Sequence, residues 1–336
     1  LGERDIIKSI QLMPGVQGAG EGSSGFYVRG GSADQNLILL DDVSLYNASH
    51  LMGFFSTFNS EVLRDVTLYK GALPAQYGER LSSILDVQQR IGDNQKYHVA
   101  GGIGLISSNI NAEGPIQKGK SSFLIGARRT YADAIARAAG VEDAKNSTLS
   151  FYDLNMKLSF MLSNKDRITV SGYMGKDKMK IKDAAEINWG NKFLSASWNH
   201  TYNSKWNSKT TLSYNQYDYY YGMEIGMDKN GKSNIKDYSL KHEYVYQLNP
   251  GNRWRFGVSS IYHDLAPGNY RMDSEEKKSS LDLHHRYSSE NGAYKSNQLK
   301  INDNLEVIYG LRMSACMALG KGEYYTLDKD HNVTDS

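Results

Sequence analysis

Cysteine is almost absent from this chain of 336 residues, because Cys316 is the only one. An internal disulfide is therefore excluded, and so is a metal site built from several cysteines. The chain also lacks an excess of either charge, since 39 lysines and arginines stand against 37 aspartates and glutamates. Binding of nucleic acid needs a clustered basic surface, so this balance argues against a nucleic-acid partner.

Long hydrophobic runs are missing as well. The longest, such as Leu37 to Leu40, fall far short of the ~18 residues of a membrane-spanning helix. No charged region followed by an apolar stretch opens the sequence, so we expect any export signal to have been removed or to lie outside it. The mean hydropathy of −0.56 still allows a membrane role, because a spanning β-barrel alternates apolar and polar residues.

The first part of the chain, up to about residue 95, has the pattern of short mixed elements. Apolar residues at helical spacing predict a helix in 5–16, with Asp5 as its N-cap and Pro14-Gly15 as its end. The runs FYVR, LILLDD and DVTLYKG predict short strands between polar loops. We expect 50–59 to form an irregular aromatic loop or a short helix.

From residue 97 onward the sequence alternates apolar and polar residues, which predicts long strands. In 152–162 the even positions carry Tyr, Leu and Met residues, whereas the odd positions from Asp153 to Ser159 are polar. The segment 304–316 repeats this pattern, with Leu305 to Met313 on one face and Asn304, Glu306, Arg312 and Ser314 on the other. Each strand therefore has one apolar and one polar face.

The connections between the predicted strands alternate in length. The ten predicted strands are 97–113, 121–131, 151–162, 167–175, 192–202, 207–219, 235–247, 253–264, 292–301 and 305–317. Short turns join them into five hairpins, and the long polar segments 132–150, 176–191, 220–234 and 265–291 separate the hairpins. Outer-membrane barrels have such short periplasmic turns and long extracellular loops. The strands also exceed the ~5–6 residues usual in globular sheets, so a barrel is favoured over a soluble β-sandwich.

These patterns predict a partial membrane β-barrel of about ten antiparallel strands, behind an N-terminal mixed α/β domain. We place the two domains at 1–95 and 96–336. An open edge would leave unpaired backbone groups in hydrocarbon, so a membrane barrel must close. We therefore expect these residues to be part of a longer protein.

Two stretches resemble the plug domain of TonB-dependent outer-membrane receptors, namely YVRGGSADQNLILLDD and YKGALPAQYGERLSSILDV. Together with the helix that ends in PGV, the similarity covers 5–90, and the barrel pattern continues it to residue 317. That family usually has Asp-Gly where this chain has Asp41-Asp42. We expect Asp42 to adopt a left-handed conformation or to form a slightly different turn.

The resemblance implies that the ten predicted strands are part of a barrel of ~22 antiparallel strands. It also implies a function in transport. It predicts a protein of the outer membrane of a Gram-negative bacterium, surrounded by outer-membrane lipid, with the TonB energy-transducing complex as its partner. The activity it implies is active import of a small scarce ligand, which could be an iron chelate, cobalamin, an oligosaccharide or a peptide. The alternative is a plugged barrel that acts as a surface receptor or assembly platform with a partner lipoprotein, without active import.

The resemblance also places Arg29 and Arg80 among the plug arginines that pair with glutamates on the inner barrel wall. A guanidinium in a water-poor seam forms charge-assisted, bidentate bonds to a carboxylate, and such pairs would lock the plug in place. An ordinary solvated arginine is the alternative at both positions. Glu243 and Glu306 are weak candidates for the partners.

Candidate ligand contacts lie in the loops 18–24 and 47–55 and in an aromatic cluster around Tyr217–Tyr221. The residues predicted for this role are Gly22, Ser23, His50, Phe54, Phe55, Tyr219 and Tyr221. For tyrosines that face outward, the aromatic girdle at the membrane interface is the favoured interpretation. Stacking against a ligand is the alternative.

Other motifs suggest chemistry but fail on their context. GAGEGSSG (18–25) leads from a helix into a strand, the reverse of the order that a phosphate-binding loop requires. Asp41 and Asp42 point to opposite faces if they lie in a strand, and His284-His285 with Asp282 lack further ligands at metal spacing. No G-x-S-x-G elbow is present. We predict no enzymatic activity, no cofactor and no metal site.

Overall fold

The computed structural model describes residues 5–18, 25–131, 135, 137–138, 140, 147–181, 184–223, 228–273, 278–320, 326–327 and 333–335. Within these residues, no helix combines the length and apolar character needed to cross a membrane. The chain forms a small mixed N-terminal segment (residues 5–92) and one large antiparallel sheet.

The predicted N-terminal helix is confirmed as α1 (Ile6–Gln11). The Asp5 side chain accepts a hydrogen bond from the backbone N–H of Lys8 at 3.0 Å, which satisfies one of the unpaired donors of the first turn. Ile7 and Ile10 are buried. The helix thus begins at a carboxylate cap and turns its apolar side to the core.

Eight short strands build the rest of the N-terminal segment. They are β1 (Val16–Gly18), β2 (Phe26–Val28), β3 (Asn36–Leu40), β4 (Val43–Ser44), β5 (Ser49–His50), β6 (Phe55–Ser56), β7 (Leu63–Tyr69) and β8 (Ser83–Gln89). Three 3-10 turns accompany them, at Ala33–Gln35, Leu51–Gly53 and Ser60–Val62. The central sheet has the order β4-β3-β8-β7, with β3 parallel to β8. Its core also contacts the buried Tyr173 and Phe193 of the large sheet.

The large sheet has twelve strands, and all its pairings are antiparallel. They are β9 (His98–Ile103), β10 (Ser107–Gln117), β11 (Ser121–Thr130), β12 (Ser147–Met161), β13 (Asp166–Ile181), β14 (Ala185–Thr201), β15 (Trp206–Met223), β16 (Asp228–Asn249), β17 (Asn252–Asp273), β18 (Lys278–Asp282), β19 (Arg286–Asn302) and β20 (Leu305–Leu319). The short β18 pairs only with the end of β17, and the other eleven follow one another as neighbours. A separate hairpin joins β21 (Thr326–Leu327) and β22 (Val333–Asp335).

Two predictions about the strands were wrong in detail. The predicted first strand 97–113 is a tight hairpin of β9 and β10 that turns at residues 104–106. The polar segments 176–191 and 220–234 are largely strand, because β13 to β16 continue through them in register. Polar residues on both faces look like a loop in the sequence, but an antiparallel partner satisfies their backbone groups. The strands are consequently 15 to 22 residues long between β12 and β17.

The predicted division of each strand into two faces is confirmed. On β12 the odd residues from Phe151 to Ser159 are buried, whereas Tyr152 and Leu154 are exposed. On β20 the apolar residues Leu311 and Met313 are exposed on one face, and Arg312 on the other face contacts the N-terminal segment beside Gly78. The polar face therefore surrounds the N-terminal segment, and the apolar face points away from it.

Aromatic residues on the outward face lie at two levels. Near the short turns, Trp206 stacks on Tyr246 with ring centroids 4.4 Å apart. At the other level, Tyr214, Tyr238, Tyr262 and Tyr287 follow one another across β15, β16, β17 and β19, with ring centroids 5.2, 6.3 and 6.1 Å apart. Such girdles mark the two interfaces of a bilayer. We call the second level the outer tyrosine row.

The outer tyrosine row sets the predicted position of the bilayer. On β17, Trp254 and Tyr262 are eight residues apart, which is about 26 Å along a strand. At a strand tilt of about 40° this corresponds to about 20 Å across the bilayer, comparable to the ~25 Å apolar band of outer-membrane barrels. Val258 lies midway, on the outward face and half exposed.

We expect Val258→Arg to destabilise the protein by about 2–4 kcal/mol, the cost of an arginine on the lipid-facing surface near the midplane. Val258→Leu, which keeps the position apolar, serves as the control. Urea unfolding of the intact protein in lipid vesicles measures both. Equal stability of the two variants would show that this face does not contact lipid.

Candidate functional site

The N-terminal segment is bound to the inward face of the large sheet strand by strand. Its polar contacts reach β10 through Asn59 and Asn111, β14 through Asn47 and Asn191, and β15 through the Ser44 carbonyl. We call this interface the seam. These contacts are hydrogen bonds of polar side chains, so the polar face of the sheet finds partners there.

The most elaborate part of the seam surrounds His50. Its Nδ1 lies 2.6 Å from Asp177 Oδ2 and its Nε2 lies 2.6 Å from Asp153 Oδ1. Asp153 also accepts from the Arg128 guanidinium at 2.6 and 2.8 Å, and from the Tyr173 hydroxyl at 2.6 Å. One side chain of the N-terminal segment thus joins residues of three strands, β11, β12 and β13. We call these five residues the His50 cluster.

The electrostatics of the cluster favour a charged histidine. His50 is 1% exposed, and burial alone would lower the pKa of its imidazole. The facing carboxylates of Asp153 and Asp177 outweigh burial and raise the pKa of His50 to about 9. The ring also stacks on Phe151 at a centroid distance of 4.2 Å, and the Arg128 guanidinium lies over the same phenyl ring. His50 is therefore a doubly bonded imidazolium in a dry site.

A tight turn with apolar side chains, residues 51–54, follows His50 directly, and we call it the tip. The backbone N–H of Leu51 donates to Asp177 Oδ1 at 2.8 Å, and both Leu51 and Met52 have positive φ, at 49° and 57°. Such conformations cost free energy in residues other than glycine and are concentrated at functional sites. Met52 and Phe54 are each 52% exposed, whereas Phe55 is buried against Phe151. The cluster thus holds an exposed apolar tip in place.

Asp41 and Asp42 form a second anchor. Both have positive φ, at 50° and 68°, as the two central residues of a tight hairpin between β3 and β4 require, so the left-handed conformation predicted for Asp42 is confirmed. Asp41 accepts from Lys157 Nζ at 2.8 Å, and Asp42 pairs with Lys209. Burial would raise the pKa of Asp42, but the Lys209 ammonium holds it below its ordinary value.

This arrangement explains the departure from the Asp-Gly pattern. A glycine would adopt the turn without strain, but it could not form the ion pair with Lys209. The side chains of Asp41 and Asp42 reach different lysines, on β12 and β15. They act as anchors of a turn and do not form a carboxylate pair.

Tyr46 makes the third contact of this kind. Its hydroxyl donates to Asp237 Oδ2 at 2.6 Å, and the other oxygen of Asp237 lies 2.7 Å from His263 Nδ1. Burial and the adjacent Asp237 carboxylate raise the pKa of Tyr46, so this hydroxyl remains a donor at neutral pH. The Tyr46 ring lies 6.2 Å from the ring of Tyr217.

Arg29 and Arg80 are not part of these anchors in the described residues. Arg29 is exposed, and its guanidinium covers Gly71 of the N-terminal segment itself. Arg80 is half-buried and donates to the Glu79 carbonyl at 3.2 Å. Their pairing with wall glutamates stays a prediction. An arginine–glutamate pair across the seam does occur, between Arg90 and Glu113 on β10.

The tyrosines on β15 divide between the two faces. Tyr217 contacts Tyr46, so it faces inward, and the unbroken register of β15 gives Tyr219 and Tyr221 the same direction. Tyr220 faces outward, where the Lys232 ammonium lies 5.8 Å from its ring centroid. The girdle interpretation favoured for outward-facing members therefore does not apply to Tyr219 and Tyr221.

The register places the inward tyrosines next to the tip. Tyr219 pairs with Trp189 on β14, and Trp189 pairs with Asp177 of the His50 cluster. The indole N–H of Trp189 points at the Ser49 carbonyl, 3.4 Å away. Tyr221 lies one inward position farther from the short turns, with its ring 6.3 Å from that of Tyr270. The tip and these tyrosines form the candidate ligand site.

The remaining predicted contacts have mixed outcomes. Gly22 and Ser23 lie outside the described residues. His50 uses both ring nitrogens in the cluster, so it could contact a ligand only after these bonds break. Phe54 is accessible, whereas Phe55 packs inside. No group of three or more histidines, cysteines, aspartates or glutamates in the described part of the chain is arranged to hold a metal ion.

The sequence contains only part of the signal for these anchors. Asp153, Lys157 and Arg128 lie on polar strand faces that the alternation identifies. The sequence therefore predicts that these charged side chains point inward, but it does not identify their partners. Their partners are far away in the chain, since His50 and Asp153 are separated by 103 positions. Only the folded chain can assign such pairs.

Comparison with known proteins agrees with this architecture. Residues 1–83 match the family model of the TonB-dependent receptor plug domain. Among solved structures, the chain is similar to the copper transporter OprC (12% identity, TM-score 0.71, covering 92% of this chain and 51% of that one). It is also similar to the ferric yersiniabactin uptake receptor FyuA from Yersinia pestis (13%, 0.67, 92% and 54%) and the siderophore receptor PirA from Acinetobacter baumannii (15%, 0.67, 94% and 54%).

Residues 1–83 are therefore similar to the plug domain of TonB-dependent receptors, and the chain as a whole has the fold of that plug with the N-terminal part of the β-barrel. The N-terminal segment is the plug, and the predicted fold class is confirmed. The family consists of receptors and transporters of the Gram-negative outer membrane. The chain spans about half the length of the solved structures that it matches.

We expect His50→Leu to loosen the plug, because it removes the cation between two buried carboxylates at a cost of about 3–5 kcal/mol. In hydrogen exchange on the intact protein, the Leu51 amide should exchange on the order of 10²–10⁴ times faster.

His98→Leu serves as the matched control, since His98 pairs with Asp93 in an exposed position on β9. Its loss should leave plug exchange nearly unchanged. Equal protection of the Leu51 amide in wild type and His50→Leu would show that the cluster does not hold the plug.

Proposed function

We propose that the intact receptor imports a scarce ligand across the outer membrane, with energy that the TonB complex transmits to the plug. The observation that carries this proposal is the polar character of the seam. A plug meant to stay in place permanently would be held best by apolar packing, because buried ion pairs are weak contributors to stability. A polar seam can separate and hydrate without exposing a large apolar surface.

The distribution of anchors supports a plug that is released as a unit. The His50 cluster, the Asp41 and Asp42 turn, and the Tyr46 contact all lie between His50 and β3 in the chain, on one continuous stretch of the plug. A pull on this stretch loads all three anchors. Once one charge loses its partner, the remaining buried charge is strongly disfavoured, so rupture of the seam is expected to be cooperative.

The ligand site is proposed at the tip and the inward tyrosines. Met52 and Phe54 supply exposed apolar surface, and Tyr219 and Tyr221 supply aromatic faces with polar hydroxyls. Aromatic faces bind planar or ring-shaped groups by stacking. Because the tip follows His50 directly and the Leu51 N–H donates to Asp177, a ligand that contacts the tip acts directly on the His50 cluster. Ligand binding and plug release are thereby linked.

The substrate class that we favour is a metal chelate. FyuA and PirA are named for uptake of siderophores, and catecholate or aryl groups of a siderophore would suit an aromatic site. Cobalamin, an oligosaccharide or a peptide are the other candidates to be tested.

The boundary between the two domains, near residue 95, also stays a proposal. The first barrel strand begins at His98.

We expect Tyr219→Ala and Tyr221→Ala each to weaken ligand binding roughly 2- to 10-fold, the loss of one aromatic contact. The measurement uses cells that carry the intact receptor and a panel of radiolabelled ferric siderophores, cobalamin and labelled oligosaccharides. Bound and internalised ligand are counted separately, with and without a functional TonB.

Tyr220→Ala is the matched control, because Tyr220 lies between the two tyrosines but faces outward. It should bind as wild type does. Loss of TonB should abolish uptake while binding persists. Uptake that persists without TonB would contradict energised import, and binding that is never followed by uptake would favour a surface receptor instead.

A further inference from the structure

Beyond the outer tyrosine row, the outward face changes from apolar to basic. On β13, Met174 is followed on this face by three lysines, Lys176, Lys178 and Lys180. Lys192 on β14 and Lys232 on β16 face the same way, because their odd-numbered neighbours point inward against the plug or the inner tyrosines. These five lysines lie farther from the short turns than the outer tyrosine row does, so they are outside the apolar band.

Three of these lysines surround a depression. Lys176, Lys192 and Lys232 line a cavity of about 660 Å³, together with the acids Glu186 and Asp218 and with Asn188, Gly190, Tyr220 and Asn234. Gly190 lies in its middle, paired with Lys176 on one side and Asp218 on the other. A side chain at Gly190 would meet the Gly175 carbonyl at 2.6 Å and the Lys176 backbone at 3.3 Å. The glycine therefore keeps the depression open, and we call it the lysine cup.

The charges of the cup are only partly compensated. Glu186 attracts Lys178 and Lys180, at 3.8 and 3.6 Å, and Lys192 lies 4.0 Å from Asp218. Lys176 and Lys232 have no carboxylate partner within 4 Å among the described residues, and Lys232 covers the ring of Tyr220. On this face, which points away from the plug, five lysines against two acids leave an excess of three positive charges. Within the cavity itself, three lysines against Glu186 and Asp218 leave an excess of one.

We propose that the lysine cup binds the phosphorylated sugar headgroup of a glycolipid in the outer leaflet of the outer membrane. The position of the cup argues for a lipid, because it faces the surrounding membrane at the level just beyond the interfacial tyrosines, where headgroup phosphates lie. Basic pockets at this depth recognise anionic headgroups.

The rest of the surface suits the same molecule. Below the cup, Leu194 and Leu212 on the neighbouring strands are 53% and 57% exposed, so acyl chains can continue along them. Tyr220 lines the upper edge of the cup and carries the Lys232 ammonium over its ring. The headgroup would therefore be held by Lys176, Lys192 and Lys232, and the chains by the apolar band. This role is independent of the imported ligand, which is proposed to bind on the inward face.

The test compares the intact receptor with a variant that carries Lys176→Gln, Lys192→Gln and Lys232→Gln. Native mass spectrometry in detergent measures binding of purified diphosphorylated lipid A, dephosphorylated lipid A and inorganic phosphate. We expect the triple variant to bind diphosphorylated lipid A roughly 100-fold more weakly, at about fivefold for each lysine removed. Dephosphorylated lipid A should bind to the wild-type protein more weakly than diphosphorylated lipid A, by a similar factor.

Two controls separate charge and folding from the cup itself. A variant with Lys165→Gln, Lys205→Gln and Lys300→Gln removes the same charge near the short turns and should bind lipid A as wild type does. Replacing the three cup lysines by arginine should keep binding. Equal binding by wild type and the glutamine variant of the cup, or equal binding of the two lipids, would overturn the proposal. Displacement of lipid A by millimolar inorganic phosphate would also overturn it, since the site would then be one for free phosphate.

Discussion

The buried ion pairs of His50 are the constraint on which the plug's position depends. The His50 imidazolium lies between the carboxylates of Asp153 and Asp177, which are on adjacent strands. A third strand contributes Arg128, which also donates to Asp153. Each of these groups would be costly to bury alone, and together they compensate one another. The position of the exposed tip beside the row of paired residues that ends at Tyr219 follows from where this cluster lies. The proposed loading of the seam by a pull on the plug depends on it as well.

The same strands carry two different surfaces because their side chains alternate. On β15 the inward residues contact the plug and form the candidate ligand site, whereas the outward residues first meet the predicted bilayer and then the lysine cup. Tyr220 and its two neighbours illustrate this most directly, since a step of one residue moves a tyrosine from one surface to the other. A cluster of tyrosines in the sequence therefore does not have a single role.

The sequence predicted much of the fold but little of the site. Period-2 alternation identified the strands and their faces, because burial by plug and lipid acts on alternate residues. It underestimated their length, since the polar stretches beyond the bilayer have no apolar face and resemble loops. The plug was recognisable from its motifs, and the left-handed turn at Asp42 followed from the glycine that it replaces. The pairs His50 with Asp153, and Asp42 with Lys209, could not be predicted, because they depend on which distant residues the fold brings together.

The most direct test of this account is the charge of the His50 ring in the intact receptor, measured by nitrogen NMR with labelled histidine in a lipid bilayer. His50→Leu identifies the signal. Because the pKa of His50 is raised from 6.5 to about 9, its stabilisation of the plug is fully present below the unfolded value and is lost as the pH rises through about 9. The expected result is an imidazolium at pH 7 that titrates near 9, with plug protection lost over the same range. A neutral ring at pH 7 would show that ion pairing at His50 does not hold the plug.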